Sequence, residues 1–115
     1  MTETTKKAAE SAAELKAKYG RIYRVTVDVP DEEGALQQKT YIFKKPVAAS
    51  YDRYLQSVPG GQVRALKTLV RDNLLEEYQD QLTADLEEYP GLLIPLGNKL
   101  LDMLGVTAAA AVKKL

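Results

Sequence analysis

Six carboxylates crowd one stretch of the chain: Glu76, Glu77, Asp80, Asp85, Glu87 and Glu88. Two carboxylates facing one another can act as acid and base in glycoside hydrolysis, and a cluster can hold a hard cation. The calcium-loop spacing with its central glycine is missing here. A charge run on a helix reads first as a solvated face. Gly60 and Gly61 stand ahead of Arg64 and Lys67, which suggests a phosphate cradle at a helix start. The GxxxxGK[ST] pattern that such a cradle needs is absent, so a helix–helix turn accounts for the glycines. Seven tyrosines stand against one phenylalanine. A tyrosine has an apolar body and a wet tip, which suits core edges and interfaces. Stacking on nucleic-acid bases needs a basic groove around the rings, and only Arg24, Lys44, Lys45 and Arg53 are at hand.

The chain holds no cysteine, histidine or tryptophan. That removes thiolate nucleophiles, the Ser-His-Asp triad, zinc fingers and histidine-anchored metals. No catalytic set, cofactor site or metal site is expected. The 115 residues suit one domain, and an apolar share of 45% suits a globular one. Sixteen basic and sixteen acidic side chains cancel, which argues against general binding to nucleic acid or a membrane surface. No apolar run approaches the ~20 residues of a membrane span. The first residues lack the apolar core of a secretory signal. The expectation is a soluble cytoplasmic domain.

The elements that must position these residues follow from periodicity. Lys6 to Tyr19 is rich in Ala, Lys and Glu, with high helix propensity. Leu15 and Tyr19 can dock its last turn and Gly20 can cap it. Residues 1–19 are therefore a helical or frayed extension. Tyr23, Val25 and Val27 then alternate with polar residues, which predicts a strand over about 21–29. Pro30 to Gly34 is a turn run. A second strand over about 38–44 places Tyr41 and Phe43 on one face and Thr40 and Ile42 on the other. A loop of about eight residues makes the pair an antiparallel hairpin with open edges. Such edges pair with other chains unless blocked.

Pro46 is expected at the first position of a helix carrying Val47, Tyr51, Tyr54, Leu55 and Val58. Val63, Leu66, Leu69, Val70 and Leu74 mark the next helix, with Arg64, Lys67 and Arg71 outside. Glu76 to Tyr89 is an acidic helical segment striped by Leu82, Leu86 and Tyr89. After Pro90-Gly91, Leu93, Leu96, Leu100, Leu101 and Leu104 form the most apolar helix. Pro95 lies in its first turn or kinks it. Gly97 admits a close neighbour, and Gly105 stops the helix. The fold class is α+β: a hairpin followed by three to four helices. The domain spans 20–105, with an Ala-rich tail over 106–115. A core of that size is marginal alone, so self-association is expected.

Four blocks of sequence occur in order: KxKYGxIYxVxV (Lys16 to Val27), YIFKKP (Tyr41 to Pro46), YDRYL (Tyr51 to Leu55) and LEEYPGLLIPLGNKLLDMLG (Leu86 to Gly105). Together they resemble small phage and prophage proteins of the tail assembly chaperone kind. The block Glu88 to Leu92 with Leu96, Gly97 and Asn98 is its most characteristic part. The resemblance implies a non-enzymatic protein that binds a tape-measure protein. It would keep that partner's apolar helical stretches soluble during tail assembly and be absent from the finished particle. Tyr51, Tyr54, Leu93, Leu96, Leu100 and Leu101 are the candidate partner-binding residues. Two alternatives stand beside this reading. One is a structural phage protein or an unrelated oligomeric module. The other is an enzyme working through carboxylates, Lys or Tyr alone.

The zero net charge conceals an asymmetry. Residues 21–71 carry nine basic and five acidic groups, whereas residues 72–104 carry one basic and eight acidic. The last 11 residues add two lysines. Contacts between unlike ends of neighbouring copies are therefore expected, and they should weaken as salt rises.

Overall fold

The period-two run after Gly20 becomes a strand. In a computed structural model, which describes residues 12–115, β1 (Ile22–Pro30) and β2 (Leu36–Lys44) pair antiparallel. Their register is unbroken from Ile22↔Lys44 to Pro30↔Leu36. The expectations on residues 1–11 lie outside the described residues. β1 is shifted by one residue from the expected span, and β2 starts earlier, at Leu36. The reason is the turn. Asp31 Oδ1 accepts the backbone N–H groups of Glu33 and Ala35, both at 2.9 Å, and Gly34 adopts φ +87°. The chain thus reverses within residues 31–35 instead of about eight residues, leaving Leu36 and Gln37 free to pair.

Residues 12–19 form α1. Gly20, at φ +81°, closes it by donating its N–H to the Lys16 carbonyl at 2.8 Å. After the hairpin come α2 (Ala48–Ser57), α3 (Gln62–Asn73), α4 (Gln79–Glu88) and α5 (Leu93–Met103). The α+β class with four helices behind the hairpin is as the sequence implies.

Two boundaries differ from expectation, and the position of Pro95 is settled. Pro46 precedes its helix, because Val47 is still extended (φ −111°, ψ 167°) and α2 starts at Ala48. The acidic segment opens as a short 3-10 turn, Glu76–Tyr78, before α4. There Gln79 Nε2 donates to the carbonyls of Arg71 and Leu74, which pins the start of α4 to the end of α3. Pro95 sits in the first turn of α5, where its missing N–H costs nothing. Gly105 (φ +89°) ends that region, and beyond Thr107 the tail forms neither helix nor strand. Among the described residues no helix is long and apolar enough to cross a membrane.

The core lies on one face of the hairpin. Val25, Val29, Tyr41 and Phe43 point inward onto Leu66, Leu69 and Val70 of α3 and onto the leucines of α5. Ile42 points the other way and is buried in a smaller cluster with Leu15 of α1 and Leu75. The expected docking of Leu15 and Tyr19 therefore occurs, and it gives β2 apolar cover on both faces. Tyr19 also donates its hydroxyl to Glu77 Oε1 at 2.8 Å.

Helices α3 and α5 meet at Gly97. A Cβ placed there would lie 2.6 Å from Leu66 Cδ2 and 3.3 Å from both Cβ and Cγ of Leu66. The absence of a side chain is what lets the two helices approach, as the sequence suggests. Gly97→Ala should therefore destabilise the protein by about 1–2 kcal/mol, overpacking outweighing the gain in helix propensity. Urea unfolding measures it, and adding Leu66→Ala should remove most of the clash term in a double-mutant cycle.

Candidate protein-binding surfaces

Helix α2 carries an apolar arc wider than its neighbours can cover. Ser50 and Tyr54 are buried against the rest of the fold. Val47, Tyr51, Leu55 and Val58 run along the open flank at spacings of four, four and three, which puts them in one stripe. Val47 is 61% exposed, Leu55 47% and Val58 37%; Tyr51 is half-buried. The Tyr51 and Tyr54 rings stack with centroids 6.1 Å apart. Arg53 holds the helix to α3 through Asp72, with Nε donating at 2.7 Å. Of the expected partner-binding residues, only Tyr51 thus offers surface.

The other five are core in this fold, which corrects the expectation. Tyr54 is buried and accepts a hydrogen bond from Gln62 Nε2 at 2.7 Å. Leu93, Leu96, Leu100 and Leu101 are all buried. The physical reason is that the leucine face of α5 closes the main core against α3 and the inner face of the hairpin. The surface stripe was concealed in the sequence because its residues share helical spacing with Tyr54. The signal lay in the exposed side of the arc, where Val47, Leu55 and Val58 extend past the Ser50–Tyr54 side.

The hairpin offers a second surface. β2 is not open at its outer edge, contrary to expectation. Leu75 donates its N–H to the Ile42 carbonyl at 3.1 Å, Phe43 forms a bridge with Leu74, and Gln81 Nε2 donates to the Thr40 carbonyl at 3.1 Å. These bonds also fix the parity of the ladder: Thr40 and Ile42 turn their backbone groups outward, so their partners Thr26 and Arg24 do so on the opposite edge. Ile22, Arg24, Thr26 and Asp28 therefore present N–H and C=O groups along the free side of β1, and no described residue pairs with them. Only the end is capped, where Tyr89 donates its hydroxyl to the Pro30 carbonyl at 2.7 Å. Beside this edge lies a shallow groove of roughly 500 Å³ between Val27–Val29 and the Tyr89–Pro95 segment. Asp28 and Glu88 stand on its rim, and Asp31, Glu32 and Glu33 flank the adjoining cleft.

Among the six carboxylates, Asp85 departs from the solvated face. It is buried, accepts the Tyr41 hydroxyl, and lies 3.5 Å from Lys39 Nζ. The three side chains tie α4 to β2. Burial pushes the Tyr41 phenol well above its ordinary range, and the Asp85 hydrogen bond and charge add to the shift. Among the described residues Asp85 has no second buried carboxylate beside it. Among the described residues no cluster of acidic side chains could hold a metal ion. The basic side of α3 is partly engaged as well: Arg71 donates to the Gln79 carbonyl, Gln79 Oε1 and Thr83 Oγ1 at 2.9–3.0 Å.

Two measurements test these assignments. Tyr41→Phe leaves Asp85 short of a donor and should cost about 1–3 kcal/mol at neutral pH. The folded state holds the phenol proton more tightly than the unfolded chain. Its contribution is therefore complete below the ordinary tyrosine value of 10 and is lost as pH rises further. The variant should show a shallower loss of stability above that pH in urea titrations. Leu96→Ala should cost about 2–5 kcal/mol, whereas Leu55→Ala should stay within about 0.5 kcal/mol. Equal effects would reverse the assignment of core and surface.

A protein of known structure shares this arrangement. It is described as an uncharacterised protein, rbstp2171, from Bacillus stearothermophilus; it superposes with a TM-score of 0.75 at 28% identity over 89% of this chain and 99% of that one. No curated protein matches. The sequence profile of a domain of unknown function, DUF6848, matches residues 15–113. The match begins at the buried Leu15 of α1 and runs through the hairpin and all four later helices into the tail, so the chain belongs to the DUF6848 family.

Proposed function

We propose that this protein is a non-enzymatic chaperone of phage or prophage tail assembly, working in the cytoplasm of a bacterial host. It binds an apolar helical stretch of a tape-measure protein and has no role for nucleic acid, membrane or cofactor. The observation that carries the reading is the stripe along α2 and its two flanking residues, in which Val47, Leu55 and Val58 are exposed and Tyr51 is half-buried. An amphipathic partner helix is read by anchors at such spacings, and a stripe on a rigid helix supplies them. A contiguous exposed apolar stripe is a surface on which a partner can bury its own apolar face. The sequence blocks that resemble tail assembly chaperones frame the same helix, since YDRYL is its middle. The buried leucines of α5 support the reading indirectly. They make the helical body rigid, so binding would need no unfolding of the core.

Co-expression with a phage tape-measure protein tests the proposal. The expected result is a soluble complex that copurifies. Val47→Glu combined with Leu55→Glu should weaken that complex at least about tenfold, because charges replace anchors in a desolvated contact. Both positions are exposed, so the thermal midpoint of the free protein should hold. No complex with the wild-type chain, or full binding by the double variant, would overturn the reading.

A further inference from the structure

The free edge of β1 lacks partners, the tail beyond Ala108 makes no backbone hydrogen bond to any described residue, and their chemistry is complementary. The edge presents outward backbone groups at Ile22, Arg24, Thr26 and Asp28. Edges of this length are normally blocked by a bulge, an inward charge or a covering segment. Here the described residues supply only the Tyr89 cap at one end. The apolar groove that borders the edge is rimmed by Asp28 and Glu88 and leads to Asp31, Glu32 and Glu33 at the turn. The tail reads VTAAAAVKKL over residues 106–115. It lies in neither helix nor strand, and Val112 is 98% exposed. It has small and apolar residues followed by two lysines, and no glycine or proline to prevent an extended conformation.

We propose that the tail of one copy adds as a strand to the β1 edge of a second copy. Its alanines and Val112 lie along the groove, and Lys113 and Lys114 lie against the acidic turn. Seven residues of edge, from 22 to 28, span about 23 Å, and the seven residues 109–115, beyond the last hydrogen bond of the tail, span about as much when extended. Charge sets the direction. The lysines belong at the hairpin turn, and the uncharged alanines pass Arg24 at the far end. The added strand therefore runs parallel to β1. The contact joins two different surfaces, so it propagates from copy to copy unless the rotation closes a ring. This surface is separate from the α2 stripe, and the inference does not depend on the proposed chaperone role.

Sedimentation velocity of the full chain in low and high salt, with three variants, tests the proposal. The full chain should self-associate and dissociate progressively as salt rises. Removal of residues 107–115 should leave a monomer. Lys113→Glu with Lys114→Glu should weaken association at least about tenfold. Thr26→Pro removes an outward N–H without touching the β1–β2 ladder, so it should also give a monomer with unchanged circular dichroism. If Thr26→Pro fails to fold, the lysine variant, which lies outside the fold, still decides the matter. A synthetic peptide of residues 106–115 should bind the truncated chain and compete with assembly of the full one. A full chain that stays monomeric overturns the proposal, including the case where the peptide binds the truncated chain and the tail has folded back on its own edge. Undiminished association of the truncated chain, or association that strengthens with salt, overturns it as well.

Discussion

β2 must be covered on both faces, and most of the architecture answers that constraint. Tyr41, Ile42 and Phe43 are consecutive and all buried, although alternate residues of a strand point to opposite sides. A two-stranded sheet is too small to be stable alone in water. The inner face is met by α3 and α5, which bring Leu66, Leu69, Val70 and Leu96 against Tyr41 and Phe43. The outer face is met by α1 and the segment after α3, through Leu15 and Leu75. The chain between Asn73 and Gln79 thus serves two purposes. It closes the outer edge of β2 by backbone hydrogen bonds, and it delivers Leu75 to the second cluster.

Buried polar contacts then select one register among the many that apolar packing would tolerate. Lys39 and Tyr41, on the inner face of β2, both reach Asp85 on α4. A shift of one residue would turn both side chains to the outer face and strand the carboxylate. Asn73, buried near the end of α3, donates to Ser50 Oγ on α2 and to the Leu69 carbonyl, both at 2.8 Å. These contacts fix the helices along their axes, where leucine packing alone allows sliding. No buried side-chain nitrogen or oxygen among the described residues lacks a hydrogen-bond partner. Such full satisfaction is what makes polar groups specify a structure instead of weakening it.

Local signals in the sequence carried far. The alternation of Tyr23, Val25 and Val27 located β1, Gly20 located the end of α1, and Gly97 located a helix crossing. These features depend on backbone conformation or on a single close contact. The sequence was less explicit where the outcome depended on competition between distant segments. The leucines of α5 look equally suited to a partner and to a core, and only the demand from β2 and α3 decides between them. Asp85 looks like its solvated neighbours until the opposing strand brings Tyr41 and Lys39. The outer edge of β2 looks open until Leu74 and Leu75 return to it. The short turn at 31–35 was legible in principle, since Asp31 and Gly34 are its natural residues, but the count of the loop was not.

The two candidate surfaces share a physical logic. A domain of this size has one leucine-rich helix, and the hairpin consumes it. Apolar surface that remains is peripheral, and includes the flank of α2, the groove beside β1, and the tail. Charge lies close to two of them. Arg64 and Lys67 stand near the Gly60–Gly61 turn that follows α2, and carboxylates rim the β1 groove. The neutral total is therefore a balance of separated patches, with apolar contact available beside each. Short-range burial can hold a partner at such a place only if the right partner arrives, and long-range charge biases which one does. With α2 and β1 on different elements of a rigid core, occupation of one need not block the other. A chain that binds both a helix and a strand in this way could assemble around a long partner in multiple copies, each seated by its own α2 and joined to the next through β1.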